Sequence, residues 1–561
     1  MKDIIINLLA KKTKLNKKEL ENLIEIPPNP EMGDFAFPCF ILAKEKKQPP
    51  VKIAEELSKE INKKIPKELE KIQTAGPYVN FFINRKIFAE EIINIKKSFG
   101  KSNIGKNKKI AVDFSGPNIG KPMHIGHIRS TLLGDSILRI YNYLGYEVIG
   151  INYLGDIGLH IGKLIVAYEL WADKEELKKD PIKELLRLYI KFCEEEKSKF
   201  QEGLEEEFQS NEWTNKAKEK IRLLELGDTK TEKLWKDITK HSHKGFNKVY
   251  DLLNVNFHET TGASLFSEKG KKVVNDALKN GLAKREEDGA IYVEFKNLPK
   301  KYVLRNNQTA SYITQDIGAA IDRYKKYKFD KMIYVTDFRQ ALHFKQLFEI
   351  LNKFRYKFSD KLKHLPFGTI NFGKEIMATR KGKVILLEDV LKKTIEKANK
   401  ETKKRKTKGD ATIIGTGAIK FTVLKNEPAK DVNFSWKQAL NFEGESGPYL
   451  QYTYARASSI LRKAKTKAKP EIPKELTANE IALIKKILDF PNIVEQASKK
   501  LNPSLIANYS FQLAQVFNEF YHSCKVVGDK NESFRLKLVD SFRTTIKNSL
   551  YLLGIEVMDE M

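Results

Sequence analysis

Two histidines three residues apart, His124 and His127, are the residues whose types and spacing most directly suggest chemistry. At the start of a helix, residues i and i+3 share one face, and the unpaired backbone N–H groups of the first turn favour an anion. Imidazole N–H groups there can hold ATP phosphate oxygens while charge builds up in a transition state. Gly126 lets a flat nucleoside lie against the backbone. The segment predicts a nucleotide site; the alternative is a chance pair of surface histidines.

The loop in front of these histidines, Ser115–Pro122, is not a P-loop. Gly116 and Gly120 enclose three residues where a P-loop has four, and Pro122 stands where a Ser or Thr would bind Mg²⁺. Phosphate binding is therefore expected from the histidines and not from a glycine-rich cradle.

Two half-folds position these residues. The first is a strand at Lys109–Phe114, a helix at His124–Leu144 and a strand at Glu147–Tyr153, which together predict a βαβ unit with a parallel sheet. A charged, mainly helical insertion follows, at about 163–295. The elements of the second half-fold are a helix at Ser311–Tyr327, a strand at Lys331–Thr336, a helix at Leu342–Lys353 and a strand near Pro366–Phe372.

The flanking regions predict further domains around an α/β, Rossmann-like core. The N-terminal region combines helices at Ile4–Leu15 and Val51–Lys64 with a strand at Tyr78–Ile83, and from Gly447 the pattern is almost purely helical. The predicted domains are 1–100 (α+β), 105–375 (the core with its insertion), 376–445 (a connecting region) and 446–561 (an all-α bundle).

Composition limits the class of protein. The 561 residues include 101 Lys and Arg against 73 Asp and Glu, a formal net charge of +28. This charge favours a polyanionic partner such as nucleic acid, although the lysine-rich segments also fit solvated surfaces. No apolar run approaches the length of a membrane span, and three scattered cysteines suit neither disulfides nor a zinc site. We therefore expect a cytoplasmic protein without a membrane segment or a structural metal.

The stretch Ser115–Thr131 resembles the HIGH signature region of class I aminoacyl-tRNA synthetases, and specifically that of arginyl-tRNA synthetases. Blocks elsewhere in the chain resemble the same family in the same order. They are Gly33–Phe35, Gly76–Phe82, Gly155–Gly162, Tyr312 with Asp316, Leu342–Phe344, Met377–Gly382, Gly447–Tyr452 and Leu553–Ile555.

The resemblance implies an activity and its partners. L-arginine and ATP, with Mg²⁺, would form arginyl-adenylate, and the arginyl group would pass to the 2′-hydroxyl of the terminal adenosine of tRNA(Arg). The enzyme would act in translation as a monomer. The catalytic side chains would be His124, His127, Lys121, Arg380 and Lys381.

The resemblance also assigns residues to each substrate. A guanidinium is planar and always charged, so its pocket needs carboxylates and flat polar partners, and Tyr312 and Asp316 share one helix face. The implied arginine-binding residues are Asp113, Ser115, Asn118, Tyr312, Asp316 and Gln340. The implied ATP-binding residues are Gly126, Gly155, Asp156, Gly158, His343 and Met377. The implied tRNA-binding residues are Tyr449, Tyr452, Arg456 and Met561, with the N-terminal domain.

Several alternatives stay open on the residues alone. The second signature is degenerate, with Ile376 and Ala378 where Lys and Ser often stand, so residues 374–383 also fit a solvated basic loop. The tyrosines near Tyr449 fit an ordinary bundle core as well as an RNA-stacking surface. Two rival functions remain: another nucleotidyltransferase or synthetase on this scaffold, and an inactive relative that only binds RNA.

Overall fold

The computed structural model describes residues 2–27, 29–200, 210–372, 386–464 and 469–561. The chain forms two compact units. The first consists of Met1–Lys97, Ile460–Asp489 and Gln515–Thr544, and the second of Ser98–Ser459, Phe490–Ala514 and Thr545–Met561.

Thirteen strands occur in the described ranges. They are β1 (Phe35–Pro38), β2 (Leu69–Ala75), β3 (Tyr78–Ile83), β4 (Lys109–Asp113), β5 (Glu147–Leu154), β6 (Glu259–Gly262), β7 (Lys284–Arg285), β8 (Ile291–Val293), β9 (Lys301–Leu304), β10 (Lys331–Asp337), β11 (Leu362–Phe367), β12 (Ile370–Phe372) and β13 (Val432–Phe434).

Helices make up most of the remaining structure. They are α1 (Lys2–Lys12), α2 (Lys17–Leu23), α3 (Phe40–Lys46), α4 (Pro50–Asn62), α5 (Arg85–Ile93), α6 (Gly126–Tyr143), α7 (Leu159–Trp171), α8 (Lys174–Lys179), α9 (Pro181–Lys197), α10 (Glu212–Glu225), α11 (Thr229–Leu252), α12 (Ser267–Lys279), α13 (Tyr312–Tyr327), α14 (Ala341–Lys353), α15 (Leu387–Arg405), α16 (Ala411–Leu424), α17 (Trp436–Ala439), α18 (Gly447–Lys463), α19 (Ala478–Leu488), α20 (Phe490–Lys500), α21 (Ser504–Ser523) and α22 (Glu532–Leu552). Short 3-10 turns lie at Pro30–Met32, Ala263–Phe266, Phe338–Gln340 and Lys357–Lys361.

The first unit is built on an antiparallel sheet in the order β1-β3-β2. Phe37 of β1 and Phe81 of β3 are fully buried between this sheet and its helices, together with Ile53 of α4. In the same unit, α19 packs against α5.

The second unit contains a five-stranded parallel sheet in the order β11-β10-β4-β5-β6. Its central strands are almost continuously apolar, as expected for a sheet covered by helices on both faces. Ala111, Ile151, Ile317 and Leu347 are buried in the core on one side of it. The strand order reverses between β4 and β10, and such a switch point is where open α/β sheets bind ligands.

The predicted βαβ core is confirmed, with one difference in its last strand. The strand expected near Pro366–Phe372 is two strands: β11 joins the parallel sheet, whereas β12 pairs with β13 in a separate two-stranded sheet. Gly368 lies between β11 and β12. Its N–H donates to Pro428 O at 2.9 Å and so does not continue the hydrogen bonds of the parallel sheet.

The insertion is mainly helical as predicted, but it also supplies strands. β6 extends the parallel sheet, and β7, β8 and β9 form a small antiparallel sheet. No helix among the described residues combines the length and apolarity needed to cross a membrane.

Candidate active site

A cavity of about 600 Å³ opens at the carboxyl ends of β4 and β10, at the switch point of the sheet. Eleven of the residues assigned from the sequence line it. They are Asp113, Ser115, Asn118, His124, Gly126, His127, Gly155, Tyr312, Asp316, Gln340 and His343. The structure thus brings the six expected arginine residues together with three of the expected ATP residues, Gly126, Gly155 and His343, in one crevice.

The loop after β4 is held by a buried hydrogen-bond network. Ser115 has a left-handed backbone, with φ of +72°, and its N–H donates to Ser130 Oγ at 2.9 Å. Its hydroxyl lies 2.8 Å from the Tyr250 hydroxyl and accepts a bond from Thr131 Oγ1 at 2.9 Å. Tyr250 belongs to the insertion, and Asn152 Nδ2 also donates to it at 3.1 Å. The insertion therefore fixes the loop that carries the signature.

The two histidine rings lie side by side, with their centroids 4.0 Å apart. The helix begins at Gly126 and not at His124 as predicted, because His124 pairs in an antiparallel bridge with Leu386. The Gly126 N–H donates to His124 Nδ1 at 3.1 Å. This bond places the proton of the neutral ring on Nε2, which leaves an N–H donor for a ligand.

Both histidines are held in the neutral form. Burial, followed by the charge of His124, lowers the pKa of His127 to about 3. Burial, followed by the positive charges of Lys121 and Arg339, lowers the pKa of His124. Neutral imidazoles can donate hydrogen bonds to a ligand across the neutral pH range, but they carry no extra proton to give up.

The loops after β4 and β5 touch each other beside the histidines. Asn118 and Gly155 form a parallel bridge, and a Cβ on Gly155 would lie 1.9 Å from Asn118 Oδ1, so only glycine fits there. Gly155 lines the cavity as expected of a nucleotide contact.

Two of the expected ATP residues lie elsewhere. Asp156 is buried behind the cavity wall, and its carboxylate accepts bonds from Ser264 N–H at 2.8 Å and Ser264 Oγ at 2.6 Å. It holds the segment after β6 and does not line the cavity. Gly158 caps α7 with φ of +126° and lines a neighbouring groove instead.

The carboxylate expected to bind arginine from β4 is already engaged. Arg323 Nη1 donates to Asp113 Oδ2 at 2.8 Å, and both side chains are buried. Burial raises the pKa of Asp113, and Arg323 partly offsets this. Because Arg323 belongs to α13, the pair ties β4 to the helix that carries Tyr312 and Asp316.

The residues assigned to arginine and those assigned to ATP come into contact where α13 lies beside α14. His343 Nε2 lies 2.6 Å from Asp316 Oδ2, so a residue assigned to ATP contacts one assigned to arginine. Tyr312 is 64% exposed at the rim, and Gln340 is exposed nearby. Gln315 was not foreseen: its Oε1 is buried without a partner among the described residues, while its Nε2 donates to Ser267 Oγ at 3.2 Å.

The expected cations are not all at the cavity. Lys121 does not line it; its Nζ lies 4.4 Å from the centre of the Tyr189 ring in the insertion. Met377, Arg380 and Lys381 lie outside the described residues. Arg339 lines the cavity and was missed by sequence reasoning, although its place directly after a central strand was a usable signal.

The expected tRNA residues lie away from this cavity. Tyr452 and Arg456 stack within α18, with the guanidinium carbon 5.0 Å from the ring centre, and both are half-buried. Tyr449 contacts Phe511 with ring centroids 5.6 Å apart. Met561 packs on the cluster of Ala398, Ile414 and Phe442.

Family models match nearly the whole chain in order. The model for the catalytic domain of class I (R) tRNA synthetases matches residues 90–436, with the arginyl tRNA synthetase N terminal domain at 1–83 and the DALR anticodon binding domain at 450–561. The catalytic match and the histidines at the switch point define a class I aminoacyl-tRNA synthetase.

Individual relatives give the family. The arginine–tRNA ligase of Halothermothrix orenii is 42% identical over 577 residues, covering 100% of this chain and 99% of that protein. That of Clostridium botulinum strain Alaska E43 is 40% identical, with 100% of both covered. The arginyl-tRNA synthetase structures of Thermus thermophilus and Plasmodium falciparum superpose with TM-scores of 0.79 and 0.78 at 25% identity, over 96% of this chain and 96% and 94% of theirs. The chain belongs to the arginine–tRNA ligase family.

Proposed function

We propose that this protein activates L-arginine with ATP and transfers it to the 2′-hydroxyl of the terminal adenosine of tRNA(Arg). The observation that carries the proposal is the crevice at the switch point, where neutral histidines follow β4 and a carboxylate on α13 faces the same cavity. The reaction serves translation, so we place the protein in the cytoplasm. We also propose that it acts as a monomer.

In the first step, an oxygen of the arginine carboxylate forms a bond to the α-phosphorus of ATP. The bond from that phosphorus to the oxygen bridging to the β-phosphate breaks, and pyrophosphate leaves with the electron pair. His124 and His127 donate N–H bonds to phosphate oxygens as charge builds up. Removing one such donor costs about 2.7–4 kcal/mol in known enzymes.

In the second step, the tRNA 2′-oxygen attacks the carbonyl carbon of the adenylate. The arginyl ester forms, AMP leaves with the electron pair of the broken bond, and the hydroxyl proton passes to phosphate or solvent. No side chain becomes covalently attached, so catalysis is alignment and charge stabilisation.

The arginine side chain would lie against α13. Asp316 supplies the negative charge, Tyr312 closes the rim, and the unpartnered Oε1 of Gln315 accepts a guanidinium N–H. Asp113 acts through Arg323, which holds α13 in place. Ser115, Asn118 and Gln340 complete the arginine site.

The nucleotide would lie along Gly126, Gly155 and His343. We propose that Mg²⁺ enters with the ATP phosphates, since the described residues contain no group of three or more His, Cys, Asp and Glu side chains arranged to hold a metal. Met377, Arg380 and Lys381 remain proposed phosphate contacts, because the sequence places them shortly before Leu386, which pairs with His124.

The remaining regions would bind tRNA. Residues 1–100 and 446–561 are proposed to contact it, and the stacked Tyr452 and Arg456 offer the planes on which unpaired bases stack. Tyr449 and Met561 have packing roles in addition. The connecting region 376–445 would contact the tRNA stem.

The test is arginine-dependent exchange of pyrophosphate into ATP, with and without tRNA(Arg). Exchange that requires tRNA supports the activity and shows that tRNA completes the site, whereas exchange without tRNA supports the activity alone. Exchange driven by another amino acid would identify a different synthetase. A folded protein that binds tRNA but gives no exchange would be an inactive relative.

A further inference from the structure

Arg339 follows the strand that neighbours the one in front of the two histidines. It belongs to the 3-10 turn Phe338–Gln340 that follows β10, while His124 and His127 follow β4. These strands are neighbours in the sheet, about 4.8 Å apart, so their carboxyl ends flank one crevice. All three side chains line the same cavity.

Arg339 differs from the other residues that line the cavity in its charge. Among the described residues that line the cavity, Arg339 is the one lysine or arginine. Lys121, which the signature loop offers, lies against Tyr189 instead. Among the described residues that line the cavity, a bound polyphosphate would therefore find positive charge at Arg339.

Hydrogen bonds to Asp337 orient the guanidinium of Arg339. Arg339 Nε donates to Asp337 Oδ1 at 2.8 Å and Nη2 donates to Oδ2 at 2.9 Å, while Oδ1 also accepts the backbone N–H of Arg339. These bonds fix the plane of the fork without using Nη1. The side chain is 74% exposed, at the mouth of the crevice. A fixed fork loses little freedom when it binds an anion.

We propose that Arg339 binds the phosphates of ATP that leave as pyrophosphate, on the side of the crevice opposite His124 and His127. The role rests on the proposed function. As the bond to the α-phosphorus breaks, negative charge moves onto the departing pyrophosphate, and the guanidinium offsets it. Arg339 is near enough to His124 for its charge to lower the pKa of that imidazole, as the charge of Lys121 also does.

The experiment compares Arg339→Ala and Arg339→Lys with Arg222→Ala. Arg222 is the matched control because it is exposed and pairs with Glu219 through two bonds of 2.8 Å, outside this cavity. Two measurements are made: equilibrium affinity for ATP and for AMP with Mg²⁺, and the ATP dependence of arginine-dependent pyrophosphate exchange with tRNA(Arg).

We expect Arg339→Ala to weaken ATP binding about tenfold and to lower kcat/KM for ATP by roughly 10²- to 10³-fold. AMP affinity and the KM for arginine stay unchanged. Arg339→Lys recovers part of the loss, because an ammonium keeps the charge but not the fork. Arg222→Ala behaves as wild type.

Equal ATP affinity in Arg339→Ala and wild type would overturn the inference, as would an equal loss of AMP affinity. ATP affinity is measured without turnover. The proposed role of Arg339 and the proposed function can therefore be refuted independently of each other. A wild-type protein without exchange, whose ATP affinity still depends on Arg339, would refute the proposed function and support the phosphate site.

Discussion

Replacing Asp316 by Asn should weaken arginine binding with little effect on ATP. Asp316 lines the cavity at the start of α13, and His343 holds its Oδ2 at 2.6 Å. Among the described residues, Oδ1 has no hydrogen-bond partner, which leaves it open to the guanidinium. A hydrogen bond to a charged group contributes about 1.5–3 kcal/mol, so we expect a loss of about 2–3 kcal/mol. At 1.4 kcal/mol per tenfold change, KM for arginine rises roughly 30- to 150-fold.

The assay is the arginine dependence of pyrophosphate exchange at saturating ATP and tRNA(Arg). The change removes binding that is equal in the ground and transition states, so kcat should stay within a few fold. Asp322→Asn is the matched control: it lies on the same helix, and its carboxylate pairs with Lys269 at 2.5 Å outside the cavity. A KM for arginine within twofold of wild type would refute the assignment of Asp316.

Four further outcomes follow from the same site and its surroundings. His124→Ala and His127→Ala should each lower kcat for exchange by roughly 10²- to 10³-fold and leave tRNA affinity unchanged, as measured by filter binding. Because the pKa of His127 is about 3 and that of His124 is also lowered, kcat should show no histidine step between pH 6 and 9; a step near pH 6.5 that His127→Ala abolishes would contradict this. Gln315→Leu should raise KM for arginine about tenfold, because it removes the amide oxygen; it also removes the buried bond from Nε2 to Ser267 Oγ, so the Tm should fall slightly, and an unchanged KM would show that Gln315 does not contact arginine. Burial lowers the pKa of Lys420 to about 8, so above pH 8 the unfolded chain binds more protons than the folded one and stability from this residue rises with pH; Lys420→Met should flatten that rise in urea unfolding at pH 7 and 9.5.

The helices and strands that carry the site could be predicted from the sequence. Each has a regular spacing of apolar residues, and that spacing can be read from the residues of the element alone. β3 has the predicted bounds, and β4, β5 and β10 differ from them by one residue at the carboxyl end. β6 was missed because Glu259–Gly262 is short and polar, and only its pairing with β5 makes it a strand.

The partners of the site residues could not be predicted in the same way. Asp113 and Arg323 are 210 positions apart, and their ion pair depends on how α13 crosses the sheet. Lys121 sits in the right loop, but its direction depends on an aromatic ring of the insertion. Composition and motif therefore identify most of the residues that line the crevice, whereas long-range packing decides the rest and which of their polar atoms remain open.

The bond between His343 and Asp316 has a consequence for how the two small substrates bind. The guanidinium and His343 are both donors, and Asp316 Oδ2 lies within reach of His343 at 2.6 Å. If arginine takes both carboxylate oxygens, His343 is released toward the nucleotide; if it takes Oδ1 alone, His343 stays. In the first case the two ligands are coupled, and linkage requires that ATP change arginine affinity by the same factor as arginine changes ATP affinity. His343→Ala would then remove the coupling while tightening arginine binding in the absence of ATP, because the competing donor is gone.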